Sequence, residues 1–291
     1  MKNIFLLTSL ILLVGSCRTG DEAIDNPLIS VSILPQKYFV EQLAGDLVEI
    51  NVMVPPGASP ATYEPSVSQL SKLDQSIMYM RIGYVGFERS WMGKIESVNP
   101  EMKIVNLSEG VELILEENLE EEDHHGHSHH GTDPHIWMST VNARIIARNI
   151  HRELLLLFPD EKNFLSDKLD QFNLSLDSIH LAISGTLAYM ENRKFMIYHP
   201  ALTYYARDYR LQQFPLEREG KTPSPAHLKE MTDLAIRHQI SKILIQNQFD
   251  RRNAEVLAEE TGSEIITFDP LILYWSDQMG YIARQLNPPE Q

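Results

Sequence analysis

Residues 160–190 read DEKNFLSDKLDQFNLSLDSIHLAISGTLAYM, and this stretch decides the fold. It has no proline and a single glycine, Gly185. Apolar side chains recur at Phe164, Leu165, Leu169, Phe172, Leu176, Ile179 and Ile183, close to the 3.6-residue period that aligns them on one helical face. A helix of about 30 residues runs about 45 Å, far beyond the usual length in a compact domain. That length suits a strut joining two lobes better than a helix packed inside one.

On either side of the strut, strand-like and helix-like stretches alternate. Residues 28–34 are β-rich, 38–44 have helical spacing, and 48–54 (VEINVMV) alternate as a strand ending at Pro55-Pro56. Ser66 and Gln69 have capping-box spacing and open a helix with Val67, Leu70 and Leu73 on its apolar face. Residues 77–82 and 103–107 read as strands, and 142–158 as a helix stopped by Pro159. Past the strut, strands are expected at 195–198, 242–246 and 264–268, with helices at 202–209, 225–238 and 252–260. Strands alternating with helices imply parallel sheets covered on both faces. The expected fold class is therefore α/β, with two lobes, each a mainly parallel sheet flanked by helices. Their bounds are 28–159 for the N-terminal lobe, 160–191 for the backbone helix and 192–291 for the C-terminal lobe.

Two segments stand outside this alternation. Residues 115–133 are acidic and then histidine-rich, with HHGHSHH placing His124, His125, His127, His129 and His130 together. No apolar period survives there, so a mobile loop suited to weak metal capture is expected. At the other extreme, Lys2 precedes an apolar run over 4–14, too short for the roughly 20 residues that span a bilayer but right for a signal peptide. The following LVGSC, residues 13–17, resembles a bacterial lipobox. On that resemblance residues 1–17 are a lipoprotein signal peptide, Cys17 carries the lipid, and 18–27 form a polar tether to the membrane. The implied location is the extracytoplasmic cell envelope, on the periplasmic side. Cys17 is the one cysteine of the chain, so no intramolecular disulfide forms. With 25 Lys and Arg against 40 Asp and Glu, the formal charge of −15 repels phosphate backbones and argues against nucleic-acid binding.

Three metal-ligating side chains fall where ligands bind in open α/β sheets, at strand ends and in the loops beyond them. His199 follows the strand FMIY, Asp269 follows EIITF, and His135 lies in the loop DPHIW; each neighbours a proline that restricts the local backbone. Two imidazoles and a carboxylate are three-quarters of a tetrahedral zinc set. Singly, each residue also suits a cap or surface position, and spacing alone does not bring them together. Asp133 can orient His135 or cap the next helix. Trp91, Trp137 and Trp275 read as packing residues, and His151, His180, His227 and His238 as surface positions on helices.

Six stretches, taken in order, carry a resemblance to a known family: PPGASPATYEPSVSQL (55–70), IGYVGFERSW (82–91), DPHIWMS (133–139), MIYHPALTYYARDYRL (196–211), TPSPAHLKE (222–230) and VLAEETGSEIITFDPL (256–271). The chain resembles the metal-specific substrate-binding proteins of ABC transporters, the zinc and manganese receptors with a helical backbone, and is most similar to the zinc-binding members. The resemblance implies metal held between the lobes by His135, His199 and Asp269, and a fourth ligand just before YEP, usually histidine. Ala61 stands there instead and cannot ligate. The open position falls to water, to Glu64, or to one of the loop histidines at 124–130. Imidazole at position 199 favours Zn2+ over Mn2+, which prefers oxygen-rich octahedral sites. The implied partner is an ABC permease, with the receptor a monomer and no catalysis. Two alternatives use the same ligands: a metal-dependent hydrolase, which would need a base that the sequence does not offer beside them, and a siderophore or chelate receptor, which would need cationic or aromatic clamps.

Overall fold

The structure is a computed structural model that describes residues 26–116, 131–217 and 220–288. The expected signal peptide, Cys17, nearly all of the tether and the five loop histidines, His124, His125, His127, His129 and His130, lie outside the described residues.

The N-terminal lobe runs β1 (Leu28–Val31), α1 (Leu34–Ala44), β2 (Glu49–Val52), α2 (Val67–Asp74), β3 (Met78–Arg81), α3 (Gly86–Val98) and β4 (Lys103–Asn106). The short pair β5 (Leu115–Glu116) and β6 (Gly131–Thr132) follows, then α4 (Thr140–Leu157). Its main sheet is parallel, in the order β2-β1-β3-β4. The strut is α5 (Lys162–Leu187), 26 residues or about 39 Å, entered through a 3-10 turn at Pro159–Glu161. The C-terminal lobe comprises β7 (Lys194–Ile197), α6 (Thr203–Asp208), β8 (Gln212–Pro215), α7 (Pro225–His238), β9 (Lys242–Gln246), α8 (Arg252–Thr261), β10 (Glu264–Phe268) and α9 (Trp275–Leu286). Its sheet is also parallel, ordered β10-β9-β7-β8.

Local chemistry sets several boundaries. The Ser66–Gln69 capping box is formed, the Ser66 hydroxyl accepting from the Gln69 N–H while the Gln69 amide oxygen accepts from the Ser66 N–H at 3.0 Å. Ser224 caps α7 directly before Pro225, and Gly262, at φ 68°, ends α8 in the left-handed conformation that glycine adopts freely.

The strut buries Leu165, Phe172, Leu176, Ile183 and Leu187 and packs against α1, α4 and α9. Phe172 meets Tyr38 and Phe39 edge-on or tilted, and Phe39 meets Trp275 of the C-terminal lobe at 5.1 Å. Each such fully buried side chain contributes about 1.5–3 kcal/mol. One core therefore runs through both lobes.

Three sequence expectations need correction. The segment from 115 to 133 is ordered at both ends, where Leu115 pairs with Thr132 and Glu116 with Gly131 in an antiparallel ladder; backbone hydrogen bonding between its ends supplies what apolar periodicity lacks. His227 is buried rather than on the surface, because α7 turns its first-turn histidine inward. His180 is half-buried on the strut, its Nδ1 within 3.1 Å of the Thr140 hydroxyl and 3.2 Å of the Tyr209 hydroxyl.

Candidate metal site between the lobes

A cavity of about 370 Å3 opens between the lobes, lined by Ala61, Tyr84 and Arg89 from one side and His199, Gln248 and Phe249 from the other, with His135 on its wall. His199 leaves the end of β7, and β10 gives way to Asp269 and to the wall residues Pro270 and Leu271. Parallel sheets present such crevices at their carboxyl edges.

His135 is held from below by Asp133. One carboxylate oxygen, Oδ1, accepts from both the His135 backbone N–H and its ring Nδ1, each at 2.8 Å. Burial pushes the Asp133 carboxyl up, but the His135 imidazole and hydrogen bonds from His135 and Thr203 outweigh it and hold the carboxyl below its ordinary value. Of the two roles open to Asp133, orienting His135 is the one found; Ser139 caps α4.

His199 is held in the same manner by a residue that the sequence reading missed. Its Nδ1 lies 3.2 Å from Oε1 of Glu217, which is buried just beyond β8. Gln246 grips the His199 peptide, donating to its carbonyl at 2.8 Å, and the ring stacks on Phe249 at 5.4 Å. No local signal marked Glu217, because β8 reads QQFP and lacks the apolar alternation of a strand.

The two rings, 64 residues apart in the chain, approach to 5.1 Å between centroids at 71°. With Nδ1 of each turned to a carboxylate, Nε2 is the ring atom left to ligate; carboxylate–imidazole–metal chains are built this way. Asp269 behaves differently. Its Oδ1 accepts from the Leu271 N–H at 2.9 Å and from Gln248 at 3.3 Å, closing the turn after β10. Among the described residues, no group of three or more His, Cys, Asp or Glu side chains stands close enough to share an ion. The structure thus brings His135 and His199 together and leaves Asp269 on its turn. Glu64 is exposed and is not among the residues lining the cavity. Ala61 is on the wall, against the start of α3: a Cβ on Gly86 would come within 3.1 Å of the Ala61 Cα.

Buried hydrogen bonds fasten the lobes beside this site. Trp137 Nε1 donates to the Pro270 carbonyl at 2.8 Å, and Trp275 Nε1 donates to the Trp137 carbonyl at 2.7 Å. The Tyr204 hydroxyl donates to the Asp133 carbonyl at 3.0 Å and accepts from the Ile114 N–H at 3.1 Å.

Two parallel-sheet lobes on a single long helix, with paired imidazoles in the crevice, define a two-lobed, helix-braced α/β binding protein. The chain belongs to the ZnuA family, described as zinc-uptake complex component A, periplasmic, whose family model matches residues 29–285. It is 26% identical to the zinc-binding lipoprotein AdcA of Streptococcus pneumoniae over 284 residues, covering 93% of this chain and 56% of that protein, so it spans about half the length of that relative. It is 26% identical to the high-affinity zinc uptake system protein ZnuA of Bacillus subtilis, covering 90% of this chain and 86% of that one. Among solved structures, a crystal structure of ZnuA matches with a TM-score of 0.83 and 34% identity over 90% of this chain and 98% of the other.

Proposed function

We propose that this chain is an extracytoplasmic receptor that takes one divalent transition metal, zinc in preference to manganese, between its lobes and delivers it to an ABC permease. The observation that carries the reading is the meeting of His135 and His199, from separate lobes, each with its Nδ1 on a buried carboxylate. Two neutral imidazoles suit zinc better than manganese. Asp269 is the third donor: its Oδ1 serves the turn, while its Oδ2 carries no hydrogen bond among the described residues. The zinc-binding and zinc-uptake relatives support the choice of cargo, and the lipoprotein name of one supports anchoring through Cys17.

In this reading the protein is a monomer that binds and releases without catalysis, and the family match is to an uptake component rather than to a hydrolase. The lobes are bounded at 28–159 and 192–291. The test is titration of zinc into the wild type and His199→Ala. Loss of the imidazole is expected to weaken binding beyond the roughly 10–100-fold that removal of an orienting partner costs. Unchanged affinity in the variant would refute the assignment.

A further inference from the structure

The cleft is roomier than a bare ion requires, and one wall carries an arginine. Its roughly 370 Å3 compares with about 30 Å3 for a water molecule and falls in the range of small-molecule sites. The wall contributed by the N-terminal lobe bears the Arg89 guanidinium and the hydroxyls of Ser59, Thr62 and Tyr84, all hydrogen-bond donors. Arg89 is exposed on α3, and among the described residues it has neither an ion-pair partner nor a side-chain hydrogen bond. The carboxylates nearest the imidazoles are already engaged, Asp133 with His135 and Glu217 with His199. Ala61 occupies the same wall, abutting Gly86, and Arg89 follows Gly86 by three residues, on the same helical face. The Ala61 methyl offers the cavity no donor atom, while Arg89 stands about one helical turn from the Gly86 that Ala61 abuts.

We propose that the cleft holds its metal together with a small carboxylate anion, which ligates the ion alongside the two imidazoles, on the wall that carries Ala61, and is clasped by Arg89. This rests on the reading of the cleft as a metal site. One carboxylate oxygen ligates the ion, as aspartate and glutamate do in zinc sites. The other accepts from the guanidinium, a charge-assisted bond whose planar geometry suits carboxylate. The hydroxyls along the wall receive the remaining oxygens of a dicarboxylate. No bond other than coordination is made or broken.

The experiment measures zinc affinity of the full chain at fixed free Zn2+ in a non-coordinating buffer, with and without malonate. A charge-assisted hydrogen bond of the usual strength predicts about tenfold tighter binding in the presence of malonate. In Arg89→Gln, a substitution on an exposed helix face, the gain should fall below about twofold. In Ala61→His the gain should vanish, because imidazole takes the place. Loading with Co2+ supplies a second readout: its visible absorption should change on malonate addition in the wild type and not in Arg89→Gln. Malonate without effect on zinc affinity or on the cobalt spectrum of the wild type would overturn the proposal, as would an Arg89→Gln variant that responds like the wild type. Sulfate acting as well as malonate would overturn the carboxylate assignment. Failure of zinc to bind in either buffer would instead sink the metal-site reading beneath it.

Discussion

Glu217 offers the sharpest test of how the imidazoles are tuned. It lies 3.2 Å from His199 Nδ1 and is itself buried, while the imidazole is partly open to water, so the pair is only partly screened. Glu217→Gln keeps an oxygen that can accept the Nδ1–H but removes the charge, whereas Glu217→Ala removes both. Outer partners of metal-bound histidines are worth about 10–100-fold in affinity. The contact is longer than the 2.8 Å between Asp133 and His135, which places Glu217→Gln near the lower end, about 10-fold or about 1.4 kcal/mol. Glu217→Ala should approach 100-fold. Competition against a chromogenic chelator at neutral pH measures both, with His199→Ala as reference. If both Glu217 variants bind zinc within twofold of wild type while His199→Ala does not, the carboxylate has no part in preparing the ligand.

Two further predictions concern the frame around the site. Burial pushes the Tyr204 hydroxyl up to about 12, so it stays protonated at neutral pH and bridges Ile114 and Asp133. Tyr204→Phe strands both partners and should cost about 1–3 kcal/mol, with Tm falling about 2–4 °C for each kcal/mol; an unchanged melting curve would show that the bridge bears no load. Burial also raises the Glu88 carboxyl, although Ser32 and the Ile82 and Gly83 N–H groups hydrogen-bond to it and Arg81 lies near. The folded state then binds the proton more tightly than the unfolded one. Stability from this group is present below the ordinary glutamate value and is lost as pH rises through the raised one. Urea unfolding should show wild type losing ground to Glu88→Gln as pH climbs from about 4.5; a constant difference would contradict the shift.

The fold was largely legible because its strongest signal is local. The period of residues 160–190 survives as α5, and strands such as 242–246 and 264–268 keep their bounds as β9 and β10. Elements whose sequence carries no period were lost: β8 (QQFP) owes its conformation to pairing with β7, and β5–β6 to its own ladder and the flanking Asp133 N–H bond to the Ile114 carbonyl. His135 and His199 could be singled out by their places after loops and strands, but their approach could not, since it depends on how α5 sets one lobe against the other. Glu217 and Arg89 were illegible for the same reason. An acidic residue past an unrecognised strand, and an arginine on an exposed helix face, acquire meaning only through what faces them across the gap.

The two indole bonds, Trp137 to Pro270 and Trp275 to Trp137, tie these jaws to each other beside the crevice. If the crevice takes a metal as proposed, such ties lower the ordering that capture demands and favour affinity by preorganisation. Under the proposed function, release would be the harder step: Trp137 sits two residues beyond His135, so a permease straining either indole bond would also pull on that imidazole. The same pair of N–H groups that joins the lobes would then set the height of the barrier to letting the ion go.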